Sequence, residues 1–261
     1  MTTAINFVGI TNPFLVAGIL GTVGKETNFN PTSEYSYGKT SVKRLRQIFG
    51  SRLAPYTDAE LEFIKKDNIK FYDIIYGGKY GNTNYEDGYK YRGRGFNGIT
   101  YKDQYKKYGD ALGIDLINNP DLLNNLDTAS KSLAIYFRDN IEIGRKTGLL
   151  KKTQGVNSIE EIKDLDTGVR VAVQTNAGWK TNFQHPTIQE GYKRAINYAT
   201  DLLSTISPVD VLTNIALAPI VPLVQLGKEI NKKKQLRYGL IIGGSVLVLA
   251  GGIYAVKKFR K

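Results

Sequence analysis

No cysteine occurs in the 261 residues, and histidine, methionine and tryptophan occur once each, as His185, Met1 and Trp179. A disulfide framework and a thiol nucleophile are thereby excluded. One histidine without cysteines also leaves a zinc site short of its usual nitrogen and sulfur ligands, so neither a metal nor a cofactor is expected. His185, just before Pro186, is taken as structural. The N-terminus, MTTAINFVGITNPF, lacks a basic region followed by an apolar run and a small-residue cleavage site, so no secretory signal is expected. Acidic residues are the minority, 24 Asp/Glu against 36 Lys/Arg, for a net charge of +12. The excess is not spread evenly. From Lys228 to Lys261 there are nine Lys/Arg and one Glu, which accounts for +8. The remainder is only mildly basic, which argues against a nucleic-acid partner and suits an anionic polymer.

What is present is a pattern of helices. Asn12 before Pro13 is an N-cap followed by proline at the first helical position. Phe14, Leu15, Val16, Ile19, Leu20 and Val23 then predict a buried helix ending near Glu26, because Asn28 to Pro31 holds turn formers. Shorter helices are expected over 41–49, 58–67, 101–108, 122–125 and 128–140, and longer ones over 158–177 and 188–206. Thr57 to Glu60 supplies a capping signal. Phe71 to Tyr76 continues as an aromatic-rich apolar segment, and 77–88 is a Gly/Asn-rich loop with room for a small β-hairpin region.

From Ser207 the composition changes. Residues 211–227 are apolar but interrupted by Pro219 and Pro222, and 228–237 form a basic linker. Tyr238 to Val256 is uncharged over 19 residues and is followed by KKFRK. As a helix it would span roughly 28 Å at about 1.5 Å per residue, close to a bilayer core of about 30 Å. Tyr238 and Tyr254 lie near its ends, where interfacial aromatics belong. The expected organisation is therefore a helical domain over 1–206, a linker over 207–237, a transmembrane helix over 238–256 and a basic tail over 257–261. Gly239 and Gly243 have the spacing that lets two membrane helices approach, so a homodimer is one reading. The glycine frequency usual in membrane helices is the other.

The chemistry concentrates between Asn82 and Tyr105, NTNYEDGYKYRGRGFNGITYKDQY. Gly93 and Gly95 permit a tight turn, Arg92 and Arg94 offer planar donor forks, and Tyr89, Tyr91 and Phe96 offer flat faces. This stretch, with YKKYGDALGIDLINNPDLL after it and GKETNFNPTSEYSYG, IYGGKYGNT and VAVQTNAGWKTN in order around it, resembles glycoside hydrolase family 19. The likeness is to the bacterial and phage lysozyme-like (endolysin) branch, which resembles the plant chitinases, and it covers roughly residues 10–200.

The resemblance implies a mainly α, lysozyme-like helical domain that cleaves β-1,4 bonds between N-acetylated sugars. Such cleavage needs a protonated acid at the leaving oxygen and a second carboxylate for water or for nucleophilic attack. Glu26 matches the family's general acid, and partial burial at the end of its helix would favour that role. Glu34 is the candidate second carboxylate, with Glu86 the competitor. Thr100 matches the hydroxyl that helps hold the attacking water in an inverting mechanism. Tyr91, Arg92, Arg94, Asn97, Asn176 and Trp179 are the candidate substrate-binding residues. The family's usual Gln-Leu-Thr is here Gly98-Ile99-Thr100, with Asn97 as a substitute for the missing side chain.

The leading expectation is a membrane-anchored peptidoglycan hydrolase of a phage or virion, placed in a virion membrane or the host envelope and acting on peptidoglycan glycan strands. A lytic transglycosylase using Glu26 alone and a catalytically inactive, wall-binding virion membrane protein are the alternatives.

Overall fold

Asn12 accepts hydrogen bonds from the backbone N–H groups of Phe14 and Leu15, both at 3.1 Å, and donates from Nδ2 to Ile162 O at 2.9 Å. The cap starts the helix that the sequence predicts, here Pro13–Thr27. The computed structural model describes residues 1–204, 246–250 and 253–257. In chain order its helices are α1 (Thr2–Phe7), α2 (Pro13–Thr27), α3 (Val42–Phe49), α4 (Asp58–Ile64), α5 (Asn68–Tyr76) and α6 (Asp87–Lys90). They continue as α7 (Lys102–Leu112), α8 (Leu126–Lys146), α9 (Leu149–Gln154), α10 (Leu165–Ala177) and α11 (Pro186–Ser204). The fold is mainly helical, as expected. Helices α1, α5, α6 and α9 were not anticipated; α1, α6 and α9 do not exceed six residues, too short to carry a periodic signal, and nine-residue α5 was read only as an aromatic-rich apolar segment over 71–76. The structure divides into two units, one of Met1–Phe29 with the chain from Phe137 onward, the other Asn30–Tyr136, and α8 runs through the boundary.

In the first unit α2 is the central element, with α10 and α11 packed on it. Leu15, Val16, Ile19, Leu20 and Val23 are at most 3% exposed. The close approach comes from glycine. A Cβ on Gly18 would stand 2.5 Å from Gly168 O, and one on Gly21 would stand 2.4 Å from Ala195 O. The helices therefore touch backbone to backbone, which only a missing side chain allows. Gly24 receives the ring of Tyr198 in the same way.

In the second unit Val42, Leu45, Leu53, Leu61, Ile64, Phe71 and Ile75 form the core beneath α3, α4 and α5. Ser41 and Asp67 cap α3 and α5, and Thr57 with Glu60 forms the expected capping box on α4. The Gly/Asn-rich loop is pinned by three side chains. Fully buried Asn82 donates to Tyr76 O and accepts from Lys102 N, tying the end of α5 to the start of α7. Asp73 accepts from the N–H groups of Glu86 and Gly88, and Asp87 from those of Thr83 and Asn84. The anticipated β-hairpin region amounts to two isolated bridges, Lys79 with Asn82 and Arg94 with Ile99.

Where the sequence predicts helix over 238–256, Val246–Ala250 and Ile253–Lys257 are antiparallel strands β1 and β2, paired from Ala250 with Ile253 to Val246 with Lys257. Their Val, Ile and Tyr content favours strand. No helix among the described residues is long and apolar enough to cross a membrane. The linker expected over 207–237, the segment 211–227 and Gly239 and Gly243 lie outside the described residues.

Candidate active site

Glu34 sits in an irregular segment after Pro31 and is held from three sides. Its carboxylate accepts from Tyr37 Oη at 2.7 Å, from Tyr76 Oη at 3.0 Å to each oxygen, and from Gly93 N at 3.3 Å. Its own N–H donates to Gly93 O at 2.7 Å, so the segment is laced to the turn of YRGRG. Each partner reaches the carboxylate as a donor, which is the complement of an ionised acceptor. The phenols keep their protons and so stay donors. Burial, then interaction with Glu34, raises Tyr37 and Tyr76 well above the ordinary tyrosine range.

Glu34 opens onto a cavity of about 540 Å³. Thr32, Ser33, Ser36, Thr40 and Thr100 line it with Tyr35, Tyr37 and Tyr76, and Gly93, Gly95 and Gly98 complete it. Apart from Glu34, every lining residue is a glycine or bears a hydroxyl. No lysine or arginine is among them. Thr100 Oγ1 donates its proton to Gly98 O at 2.8 Å, leaving its lone pairs to accept. A Cβ on Gly93 would lie 3.4 Å from Glu34 Oε2 and 3.5 Å from Thr100 Oγ1, so the glycine keeps a small space open beside both groups. Gly98 has φ +61, a backbone that favours glycine over the Gln expected there.

The other sequence candidates lie elsewhere. Glu86 is exposed at the start of α6 with φ +73, and it is absent from the cavity lining. Tyr91 is corrected from a sugar-facing surface to a core residue: it is 1% exposed, with its ring 5.3 Å from that of Tyr105 and its hydroxyl on Ile117 O. Arg94 is likewise internal, 3% exposed, bonded to Asp121, to Tyr105 Oη and to Lys90 O. Arg92 lies over the Tyr89 ring at 4.2 Å and donates to Tyr89 O. Asn97 does not line the cavity, and its Oδ1 is buried without a hydrogen-bond partner.

In the first unit, Glu26 is at the penultimate position of α2, as expected, but the anticipated burial is not found. Its side chain is 50% exposed and paired with Lys25. Trp179 is corrected from a stacking platform to a core residue. It is 6% exposed, lies against Gly144, and donates from Nε1 to Asn140 O at 2.6 Å. Asn176 is exposed on α10. Buried Gln174 fixes the loop after it by donating to Gly178 O and Thr181 O. Among the described residues no cluster suits a metal ion.

Tyr37 and Tyr76 were missed as site residues. For Tyr37 a signal was available in TSEYSYG, where hydroxyl side chains surround one glutamate. Tyr76 has no such local signal, because it reaches Glu34 from 42 residues away.

The mainly helical fold fits a lysozyme-like arrangement of the glycoside hydrolase family 19 kind. Residues 55–144 match the glycoside hydrolase family 19 model described as class I chitinase. A glycosyl hydrolase family 19 domain-containing protein of Haemophilus influenzae is 37% identical over 93 residues, 33% of this chain and 46% of that protein. Chitinase 11 of rice is 47% identical over 47 residues, 18% of each chain. Acidic endochitinase Q of tobacco is 44% identical over 48 residues, 18% of this chain and 19% of that protein. The chain thus spans less than half the length of each of these relatives. Thr100 and the YRGRG turn fall inside the family match, whereas Glu26 and Glu34 precede it.

Proposed function

We propose that the chain hydrolyses β-1,4 bonds between N-acetylated sugars by acid/base catalysis, with peptidoglycan glycan strands as substrate. The observation that carries the reading is Glu34, held by Tyr37, Tyr76 and Gly93 in a cavity of hydroxyls and glycines beside Thr100. A polyhydroxylated chain meets hydrogen-bonding partners in such a lining, and a carboxylate fixed in orientation by donors can accept a hydrogen bond from a water beside it. In this account Glu34 is the general base and Glu26 the general acid, and Thr100 accepts from the attacking water.

The half-exposed Glu26 requires bound sugar to exclude solvent before it serves as an acid. Arg92 and Asn176 remain assigned to more distant sugar contacts. Mass analysis of muropeptides released by the full chain tests the reaction type: reducing ends that take up one water are expected. Anhydro sugars would replace hydrolysis by transglycosylation through Glu26, and binding without release would make the chain a wall-binding structural protein.

One observation favours a second substrate. The cavity lining has no cation to pair with the acidic stem peptides carried on muramic acid, and Glu34 would repel them. An uncharged N-acetylglucosamine polymer avoids that cost, and the plant relatives are named as chitinases. Parallel assays on chitin and on peptidoglycan separate the two.

We further propose that residues 238–256 attach the domain to a virion or host membrane. A two-stranded ribbon leaves outward backbone groups unpaired in lipid, so insertion requires this stretch to become helical. Co-flotation of the full chain with vesicles, lost on removal of 238–261, is the expected result.

A further inference from the structure

Tyr35 is the lining residue whose ring is left open. It is 76% exposed, next to Glu34, whereas Tyr37 and Tyr76 are partly buried with their hydroxyls committed to that carboxylate. Other large exposed rings, Tyr80 and Tyr85, do not line the cavity. The backbone beneath Tyr35 is fixed. Its carbonyl accepts from Tyr72 Oη at 2.6 Å, and Glu34 N on its other side donates to Gly93 O. Tyr72 is itself 1% exposed, stacked on Tyr76 at 5.9 Å. A bare aromatic face on an anchored main chain, in a cavity otherwise made of hydroxyls and glycines, offers what the C–H face of a pyranose lacks there: an apolar plane.

We propose that Tyr35 is a positioning residue on which a sugar ring of the substrate stacks beside Glu34, setting affinity for the glycan rather than the rate of bond cleavage. The inference rests on the glycan reading of this cavity. It requires the ring face and not the hydroxyl, so phenylalanine and tryptophan serve in its place and alanine does not.

The test compares the full-length parent with Tyr35→Ala, Tyr35→Phe and Tyr35→Trp on soluble chitohexaose and on peptide-free peptidoglycan strands. Tyr35→Ala is expected to raise KM about tenfold, equivalent to roughly 1.4 kcal/mol, with kcat within about twofold. Tyr35→Phe and Tyr35→Trp should keep KM within about twofold of the parent. An unchanged KM in Tyr35→Ala, or no rescue by either aromatic, overturns the stacking role while leaving the hydrolase reading intact. A parent that turns over neither glycan overturns that reading, and the role of Tyr35 with it.

Discussion

At the scale of single residues, the site depends on what Gly93 omits and on what the phenols donate. Gly93→Ala places a methyl in ordinary contact with Glu34 Oε2 and Thr100 Oγ1, where no backbone atom resists it. The fold should survive with Tm changed by only about 2 °C, while the methyl takes the space that the proposed attacking water needs beside the two groups. Glycan turnover is expected to fall about 100-fold, or roughly 2.7 kcal/mol of barrier; parental kcat in a folded Gly93→Ala chain contradicts the placement of that water. The phenols govern alkaline behaviour. Burial pushes Tyr105 and Tyr192 up to about 12 from the ordinary 10.0, and it raises Tyr37, Tyr72 and Tyr76 as well. A raised folded value means that the folded state keeps the proton longer. The stabilisation is therefore complete below about pH 10 and is lost as pH climbs through about 12. Urea midpoints measured from pH 8 to 12 should be flat and then fall above about 10; a flat series throughout contradicts the burial of these rings. Glu34, Thr100 and the glycines of the turn were legible as residues. Which aromatics face the site was not, because Tyr91 and Tyr35 look alike until the core claims one and leaves the other in solvent.

Helix α2 is the element on which the first unit depends. Asn12 satisfies two N–H groups at its start and one carbonyl at Ile162, and Gly18 and Gly21 let α10 and α11 approach its backbone. Asn12→Ala should cost about 1 to 2 kcal/mol in urea unfolding, with an added loss from the unpaired Ile162 carbonyl. Gly21→Ala should cost more, roughly 3 kcal/mol, because a Cβ 2.4 Å from Ala195 O forces two backbones apart. Equal stability of Gly21→Ala and the parent contradicts the backbone contact. The cap, the proline and the apolar run were readable because all three are local. The glycine contacts were not, since Gly18 and Gly168 acquire meaning only when 150 residues of chain have folded between them. The stretch 238–256 is ambiguous for a different reason: 19 uncharged residues satisfy a membrane-helix length rule, while the β-branched content of β1 and β2 equally suits strands.

At the scale of the whole molecule, two carboxylates eight positions apart belong to different units, Glu26 to the one built on α2 and Glu34 to the one carrying the cavity. Order along the chain made both visible as a family pattern, but nothing local told that one would be half-exposed and the other ringed by donors. The central claim is the proposed glycan hydrolysis at the cavity that carries Glu34. Release of reducing ends by the full chain, measured beside Glu34→Gln and Glu26→Gln, tests it most directly. The account predicts turnover in the parent and a loss of at least about 1,000-fold in each variant, roughly 4 kcal/mol, with folding unchanged because both side chains reach solvent or the cavity. Turnover by Glu34→Gln at the parental rate contradicts it.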